Sequence, residues 1–338
     1  MSRILSGDRP TGALHLGHYF GTLANRVRLQ QQGHELFVVV ADYQVITDRA
    51  TPGAVRDAVT SLVLDYLACG LDPDATVVFA HSAVPALNQL LLPFLSLVSV
   101  GELSRNPTVK QEARQSGRRA VSGLLLTYPV HQAADILFCK ADLVPVGRDQ
   151  LPHLEQTRSI ARRFNERYGP VFGLPEALLG DAPVLLGLDG RKMSKSLGNA
   201  IALSDPPDVV AAKVRAARTD SERTISYEPE RRPQVANLLR IAGLCSGTEP
   251  AALADEVGDG ACRLKALVTE AIVQFLRPLQ DRWARFDAAD VHDVLTRGTA
   301  VANAVADRTL AQVHAAMGFA ERRHTAIRTS SARSPGPR

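Results

Sequence analysis

Apolar runs of strand length alternate with longer stretches of helical periodicity through the first half of the chain. Residues 4–6, 36–41, 76–80, 143–146 and 184–186 are short apolar runs that predict buried strands. Between them, residues 15–32, 53–69, 84–98, 129–138 and 150–167 carry the spacing of helices. This alternation predicts an α/β fold with a doubly wound, Rossmann-like parallel sheet, whose ligands lie beyond the carboxyl ends of the strands. The longest apolar stretch, residues 90–100, is interrupted by Pro93, Ser96 and Ser99. It falls short of the roughly 20 apolar residues of a membrane span and predicts a buried helix.

The character changes after Asn199. Pro206-Pro207, Pro229 and Arg231-Arg232-Pro233 punctuate helical stretches, two long helical patterns follow over residues 261–285 and 289–316, and no strand is expected. The chain is therefore read as an α/β domain over residues 1–196 and a smaller all-helical domain over 197–318, with the last long helix a candidate to fold back on the first domain. The segment 328–338, rich in Ser, Arg and Pro, is expected to be disordered.

Composition narrows the class. With 338 residues and 45% hydrophobic content the chain can bury a large core. Residues 1–12 hold Arg3, Asp8, Arg9 and Pro10 and no apolar leader core, so a cytoplasmic protein without a secretory signal or membrane partner is expected. Cys69, Cys139, Cys245 and Cys262 have neither CxxC spacing nor zinc-like histidine neighbours, and are read as reduced, mostly buried thiols with no protein-bound metal. The formal charge is only +4, but it is uneven. Arg105, Lys110, Arg114, Arg118 and Arg119 face only Glu112 between residues 105 and 119, and five arginines face only Glu321 in the tail. Such clusters suit a phosphate backbone, although a solvated surface is their commoner meaning.

Two segments carry the chemistry. Arg9-Pro10-Thr11-Gly12-Ala13-Leu14-His15-Leu16-Gly17-His18 places two histidines three apart after a Pro-Thr-Gly turn, at the start of a helical run. A helix start already favours anions through unpaired N–H groups. Gly190-Arg191-Lys192-Met193-Ser194-Lys195-Ser196-Leu197-Gly198-Asn199 places two lysines three apart on a glycine-flanked loop, so two ammonium groups can converge on one polyphosphate. Together they describe a nucleotide held from both ends. Thr11, His15 and His18 can donate to an α-phosphate while Lys192 and Lys195 favour the departing pyrophosphate; such transfer needs positioning and charge rather than a covalent nucleophile.

These segments resemble the HIGH and KMSKS signatures of the class I aminoacyl-tRNA synthetases, and the wider pattern is similar to the bacterial tryptophanyl branch. The likeness runs to about residue 318 and includes Gly101-Glu102-Leu103, Gly123 to Pro129, Ala133-Ala134-Asp135-Ile136-Leu137, Val144 to Gln150 and Thr157 to Asn165. The resemblance implies a tryptophan–tRNA ligase activity: L-tryptophan is activated by ATP, with Mg²⁺ carried by the nucleotide, and transferred to tRNA(Trp). It also implies a homodimer, a helical domain that reads the anticodon, and closure of the Lys192–Lys195 loop. For the nucleotide it implicates Arg9, Pro10, Thr11, Gly17, His18, Gly147, Arg148, Asp149 and Val184, with Lys192, Met193, Ser194, Lys195 and Ser196. For the amino acid it implicates Asp135 as acceptor of the indole N–H, Tyr128 and Gln150 at the amino group, and Gln132 and Val146 in the pocket. Tyr128, Gln132 and Asp135 share one helix face by spacing.

The chain departs from the common bacterial pattern at Val130-His131-Gln132, at Tyr43-Gln44 and at Arg9. These leave the reaction class intact and point to a divergent branch with altered tolerance of tryptophan analogues. Three rival readings stand beside it. A tyrosine-activating relative would need a pocket for a phenolic hydroxyl, an HxGH adenylyltransferase would need no helical domain or basic patches, and a non-catalytic paralogue would have no use for intact His15, His18, Lys192 and Lys195.

Overall fold

A computed structural model describes residues 1–47, 55–115, 121–147, 150–179, 185–191, 193–194 and 197–319. Five parallel strands, β1 (Arg3–Asp8), β2 (Glu35–Val40), β3 (Thr76–Ala80), β4 (Leu143–Val146) and β5 (Glu176–Leu179), form one sheet in the order β3-β2-β1-β4-β5. The order reverses direction between β1 and β4. Every residue of β1 pairs with β2, from Arg3↔Glu35 to Asp8↔Val40, whereas β1 meets β4 in register only at Ile4↔Leu143. Beyond Ile4 the two strands part, opening a crevice at their carboxyl ends.

The near-continuous apolar run of β2 is that of a strand covered on both faces. Leu36, Val38 and Val40 join the core beneath α2 (Ala24–Gln31) and α3 (Val55–Ala68). Phe37 and Val39 join the opposite core with α4 (Pro85–Gln89), α5 (Leu91–Leu95), α8 (Gly123–Leu137) and α9 (Leu151–Tyr168). The run expected over 15–32 begins as the single turn α1 (Leu16–His18), passes through a wide turn at Tyr19–Leu23 and continues as α2.

The sequence reading departs from the structure in three places. Residues 184–186 do not supply the fifth strand; β5 lies earlier, and its single charged and half-exposed positions hide it from periodicity. Of the expected run, Val184 lies outside the described residues. Leu186 bonds its backbone N–H and C=O to the Asn237 side-chain amide, at 3.0 and 3.1 Å. Second, the 84–98 run breaks in two, so that Pro93 falls in the first turn of α5, where its missing N–H costs nothing. Leu92 is 75% exposed and Val100 68% exposed, so this stretch is not a wholly buried helix. Third, α6 (Val100–Arg105) and α7 (Pro107–Gln115) were not anticipated, although Ser99 caps α6 by accepting from Glu102 N at 3.2 Å, the mark of an S-x-x-E start.

The second half is helical: α10 (Pro207–Ala216), α11 (Pro233–Ser246), α12 (Pro250–Val257), α13 (Ala261–Trp283) and α14 (Ala288–Ala316). The buried residues of α10 to α13 share one core with α2 and α3, and Arg282 of α13 donates to Ala68 O at 2.7 Å. Helix α14 instead crosses to the other face of the sheet. Thr309 donates to Phe138 O at 2.6 Å, and Ala302, Val305, Ala306, Leu310 and Val313 join the α4–α8 core. Its approach to β3 rests on Gly298, where a Cβ would stand 1.9 Å from Val78 O. Cys69 and Cys139 are buried and Cys245 half-buried, and burial pushes all three thiols up to about 12; Cys262, by contrast, is exposed. Among the described residues no helix is long and apolar enough to cross a membrane.

A buried polar network holds the carboxyl end of β1. Arg26 of α2, only 2% exposed, donates to Asp8 Oδ2 at 2.5 Å, to Ser6 Oγ at 2.8 Å and to Gly7 O at 3.2 Å, while the Tyr66 hydroxyl of α3 donates to Asp8 Oδ2 at 2.7 Å. Burial by itself would raise the Asp8 pKa, but the charge and hydrogen bond of Arg26, the Tyr66 bond and nearby His18 outweigh it and hold the carboxyl below its ordinary range.

Two outcomes follow from this packing. Gly298→Ala sets a methyl against backbone that cannot turn aside, so urea denaturation is expected to show a loss of about 3 kcal/mol or more. Asp8 has a depressed pKa, so its contribution is present above the unfolded carboxyl value of about 4 and is lost as pH falls through the folded value. Asp8→Asn, which leaves Arg26 buried without its counter-ion, should cost about 3 kcal/mol at pH near 7 and progressively less in acid, read as urea midpoints across that range.

Candidate active site

Thr11 N donates to Arg9 O at 2.8 Å in a tight turn that Gly12 completes at φ +112°, a backbone shape open chiefly to glycine. The chain then passes Leu14, whose N–H is taken by buried Asp65 at 3.0 Å, and reaches His15 at the start of α1. The imidazoles of His15 and His18 lie 3.7 Å apart between ring centres. His15 N donates to His18 Nδ1 at 3.2 Å. An Nδ1 that accepts leaves the neutral ring's proton on Nε2, so His18 is held as a donor of hydrogen bonds at that nitrogen.

The second signature comes to the same place. Leu16 N donates to Ile201 O at 3.0 Å and Leu203 N to Leu14 O at 2.9 Å, with His15 bridged to Ala202. The first signature is thus sewn to the chain that leaves the second. A Cβ on Gly17 would lie 3.0 Å from the His15 ring and 3.2 Å from Met193 Sδ, and buried Met193 shares a core with Leu14 and Leu16. Asn199, which motif reading treated only as the end of the loop, staples it: Asn199 Oδ1 accepts from Ser194 N at 2.8 Å and Nδ2 donates to Asp189 Oδ1 at 2.8 Å. With the Asn199 bond and the Arg191 N–H and side chain around it, Asp189 is held down at about 2. Lys192, Lys195 and Ser196 lie outside the described residues, as do Arg148, Asp149 and Val184.

A cavity of about 330 Å³ fills the crevice between β1 and β4. Its walls include Leu5 to Arg9 at the end of β1, Val144 to Gly147 at the end of β4, and Tyr128, Gln132 and Asp135 on one face of α8. Gln150, at the start of α9, closes another side. Seven expected site residues, Arg9, Tyr128, Gln132, Asp135, Val146, Gly147 and Gln150, therefore share one cavity. Pro10, Thr11, Gly17, His15, His18, Met193 and Ser194 are not on its wall but belong to the neighbouring turn, helix start and loop.

The cavity also recruits residues that motif reading missed. His153, one turn into α9, meets the Tyr128 hydroxyl at 3.1 Å and faces the cavity. Asp8 and Arg26 form part of the floor. Behind Asp135, itself 3% exposed, stands fully buried His81, with Nε2 2.8 Å from Asp135 Oδ1. Burial disfavours the charged form of His81, yet the Asp135 charge and bond, with Asp42, outweigh it and its pKa is raised. His131 stacks on His81 with ring centres 4.1 Å apart and planes 20° apart. Burial lowers the His131 pKa; Asp135 opposes that shift and His81 adds to it.

His81, His131 and Asp135 bring ligand atoms within 4.8 Å of one another, a grouping that could tempt a cation. Nearly parallel rings, however, set their in-plane lone pairs side by side rather than converging on one ion. His131 Nε2 is also engaged by Asn88 Oδ1 at 2.7 Å. The cluster suits shared protons better than a metal.

The divergent positions converge here as well. The Tyr43 ring lies 5.8 Å from His81 and 6.5 Å from His131, and Gln44 and Gln132 both line the cavity. Two separate departures in the sequence are one environment in space.

Comparison with known proteins agrees with this geometry. The family model described as tRNA synthetases class I (W and Y) matches residues 1–277. The tryptophan–tRNA ligase of Treponema pallidum is 43% identical over 334 residues, covering 95% of this chain and 98% of the relative. Among solved structures, the tryptophanyl-tRNA synthetase of Campylobacter jejuni in complex with ADP and tryptophan superposes with a TM-score of 0.83 at 26% identity, covering 94% of this chain and 100% of that one. The Mycoplasma pneumoniae enzyme gives 0.81 at 32% identity, covering 95% and 98%. With both signatures joined at Gly17 beside a cavity at the strand switch point, the chain belongs to the class I tRNA synthetases (W and Y), as a tryptophanyl member of the bacterial type.

Proposed function

We infer that this chain is a tryptophan–tRNA ligase: it activates L-tryptophan with ATP, releasing pyrophosphate, and passes the tryptophanyl group to tRNA(Trp). The observation that carries the reading is the meeting of the two signatures, through Gly17 and Met193, next to a cavity whose wall holds buried Asp135. The amino-acid carboxylate attacks the α-phosphorus and the bond to pyrophosphate breaks. Thr11, His15 and the Nε2–H of His18 stabilise the α-phosphate as charge redistributes, and Lys192 and Lys195 take the β- and γ-phosphates as that loop closes. Gly147, Arg148 and Asp149 serve the ribose and Val184 the adenine. Mg²⁺ travels with the nucleotide, held mainly by phosphate oxygens and water.

Recognition of the side chain falls to Asp135. An indole offers one N–H donor on a wide apolar ring, and a buried carboxylate is the acceptor that fits it. Phenylalanine, lacking that donor, leaves the acceptor without a partner at a cost of about 1–3 kcal/mol. Tyr128 and Gln150 hold the amino group, with His153 fixing the Tyr128 hydroxyl. The helices over 197–318 read the anticodon, and the protein works in the cytoplasm as a homodimer. Support for pairing comes from Leu92 and Val100, apolar side chains that stand well exposed along α5 and α6.

Pyrophosphate exchange into ATP should depend on tryptophan and not on tyrosine; exchange with tyrosine alone would transfer the assignment to the rival specificity. His18→Ala should slow exchange on the order of a hundredfold, as loss of a preorganised donor does elsewhere, with little change in tryptophan KM. Replacing Gln132 by Met should alter the pattern of inhibition by indole-modified tryptophans, and identical patterns would show that this divergent position leaves tolerance unchanged.

A further inference from the structure

We propose that His81, at the carboxyl end of β3, is a positioning residue for ring recognition: it holds the Asp135 carboxylate aimed as an acceptor, so that preference for a ring N–H depends on it. The inference rests on the reading of Asp135 given above and names the group that makes that reading work.

The argument begins with burial. Asp135 is 3% exposed and His81 is 0% exposed, and their facing atoms stand 2.8 Å apart. A buried carboxylate needs a fixed partner on one side if it is to offer the other side as the acceptor that a ring N–H requires. The titratable groups facing His81 are Asp135 and His131 on α8 and Asp42 in the loop after β2, with the Tyr43 ring tilted beside it. Asp42 is itself occupied, accepting from Tyr43 N and Ser82 N at 2.9 Å each and from the Ser82 hydroxyl. That anchors the turn that carries His81 and leaves Asp135 as its closest anionic partner.

His131 is held for the same task. Asn88 Nδ2 donates to His81 O at 3.1 Å and to Val84 O at 3.0 Å, which settles Asn88 Oδ1 as the acceptor facing His131. His131 therefore donates from Nε2, and burial keeps it neutral. A neutral ring stacked roughly parallel to His81 adds no second cation beside Asp135. His81 is accordingly the one member of the stack that carries the charge, and its raised pKa extends that charge to higher pH. The cation is fully present below the ordinary imidazole value of about 6.5 and is lost as pH rises through the raised one.

The test compares tryptophan with its benzothienyl analogue, in which sulfur replaces the ring N–H, in ATP–pyrophosphate exchange by the native protein and by His81→Leu, His81→Gln and Asp135→Asn. The proposal expects His81→Leu to lower the preference for tryptophan over the analogue by about tenfold or more, the scale of a hydrogen bond to a charged group, while the KM for ATP stays in place. An alkaline rise in tryptophan KM is expected of the native protein, and His81→Gln, which keeps a donor but no charge, should regain part of the preference and lose that rise. If Asp135→Asn leaves the preference untouched, the assignment of Asp135 fails. If Asp135→Asn abolishes it while His81→Leu keeps it, the role of His81 fails on its own. Should His81→Leu not fold, the His81→Gln pH profile decides, and an alkaline limb identical to the native one overturns the proposal.

Discussion

The parting of β1 and β4 beyond Ile4 is the constraint on which the rest of the molecule depends. A parallel sheet whose strand order reverses sends its flanking helices to opposite faces, so no connection covers the carboxyl ends at the point of reversal. Here the point falls between β1 and β4, and the open space is filled by the cavity. The same geometry leaves the end of β1, at Ser6, Gly7 and Asp8, paired with β2 but not with β4. Arg26 and Tyr66 supply further partners from two helices on one face. A buried ion pair of this kind adds less to net stability than its distances suggest, because both charges leave water. Its value lies in rigidity: the strand end that supports the Arg9–Gly12 turn cannot drift.

Rigidity at that turn matters because the two signatures are far apart in the chain. They are joined by ordinary means, a short backbone pairing of residues 14–16 with 201–203 and a glycine, Gly17, small enough to admit both the His15 ring and Met193 Sδ close to its backbone. The chain between Gly190 and Asn199 is pinned at its base by the Asn199 amide and Asp189. The helices α10 to α13 that follow it share a core with α2 and α3.

The ring-recognition end is built differently. Asp135 is presented by α8, but its electrostatics come from β3 and the loop after β2, through His81 and Asp42. His81 stands against the Asp135 carboxylate, His131 stacks on His81 and is engaged by Asn88, and Tyr43 lies beside both rings. Substitutions among these residues act on a different part of the chain from the Arg9–Gly12 turn.

Strands β1 to β4, most of the flanking helices, the two signature segments and the α8 face of Tyr128, Gln132 and Asp135 were legible directly, because each is a local pattern: a covered strand is apolar throughout, a helix face repeats, and a signature is a fixed spacing of glycine, histidine and lysine. Strand β5 was not, since an edge strand with a charged first residue has no such period, and neither was the break at Pro93, which depends on how the chain must turn over α8. His81, His153, Arg26 and Asn199 carried no recognisable motif. Except for Ser194, their partners lie well away in the chain, from 10 residues for Asn199 and Asp189 to 54 for His81 and Asp135. What a side chain can do chemically is written in its own identity and its near neighbours. Which charge it faces once water is excluded depends on how distant segments pack, and that is settled by the fold alone.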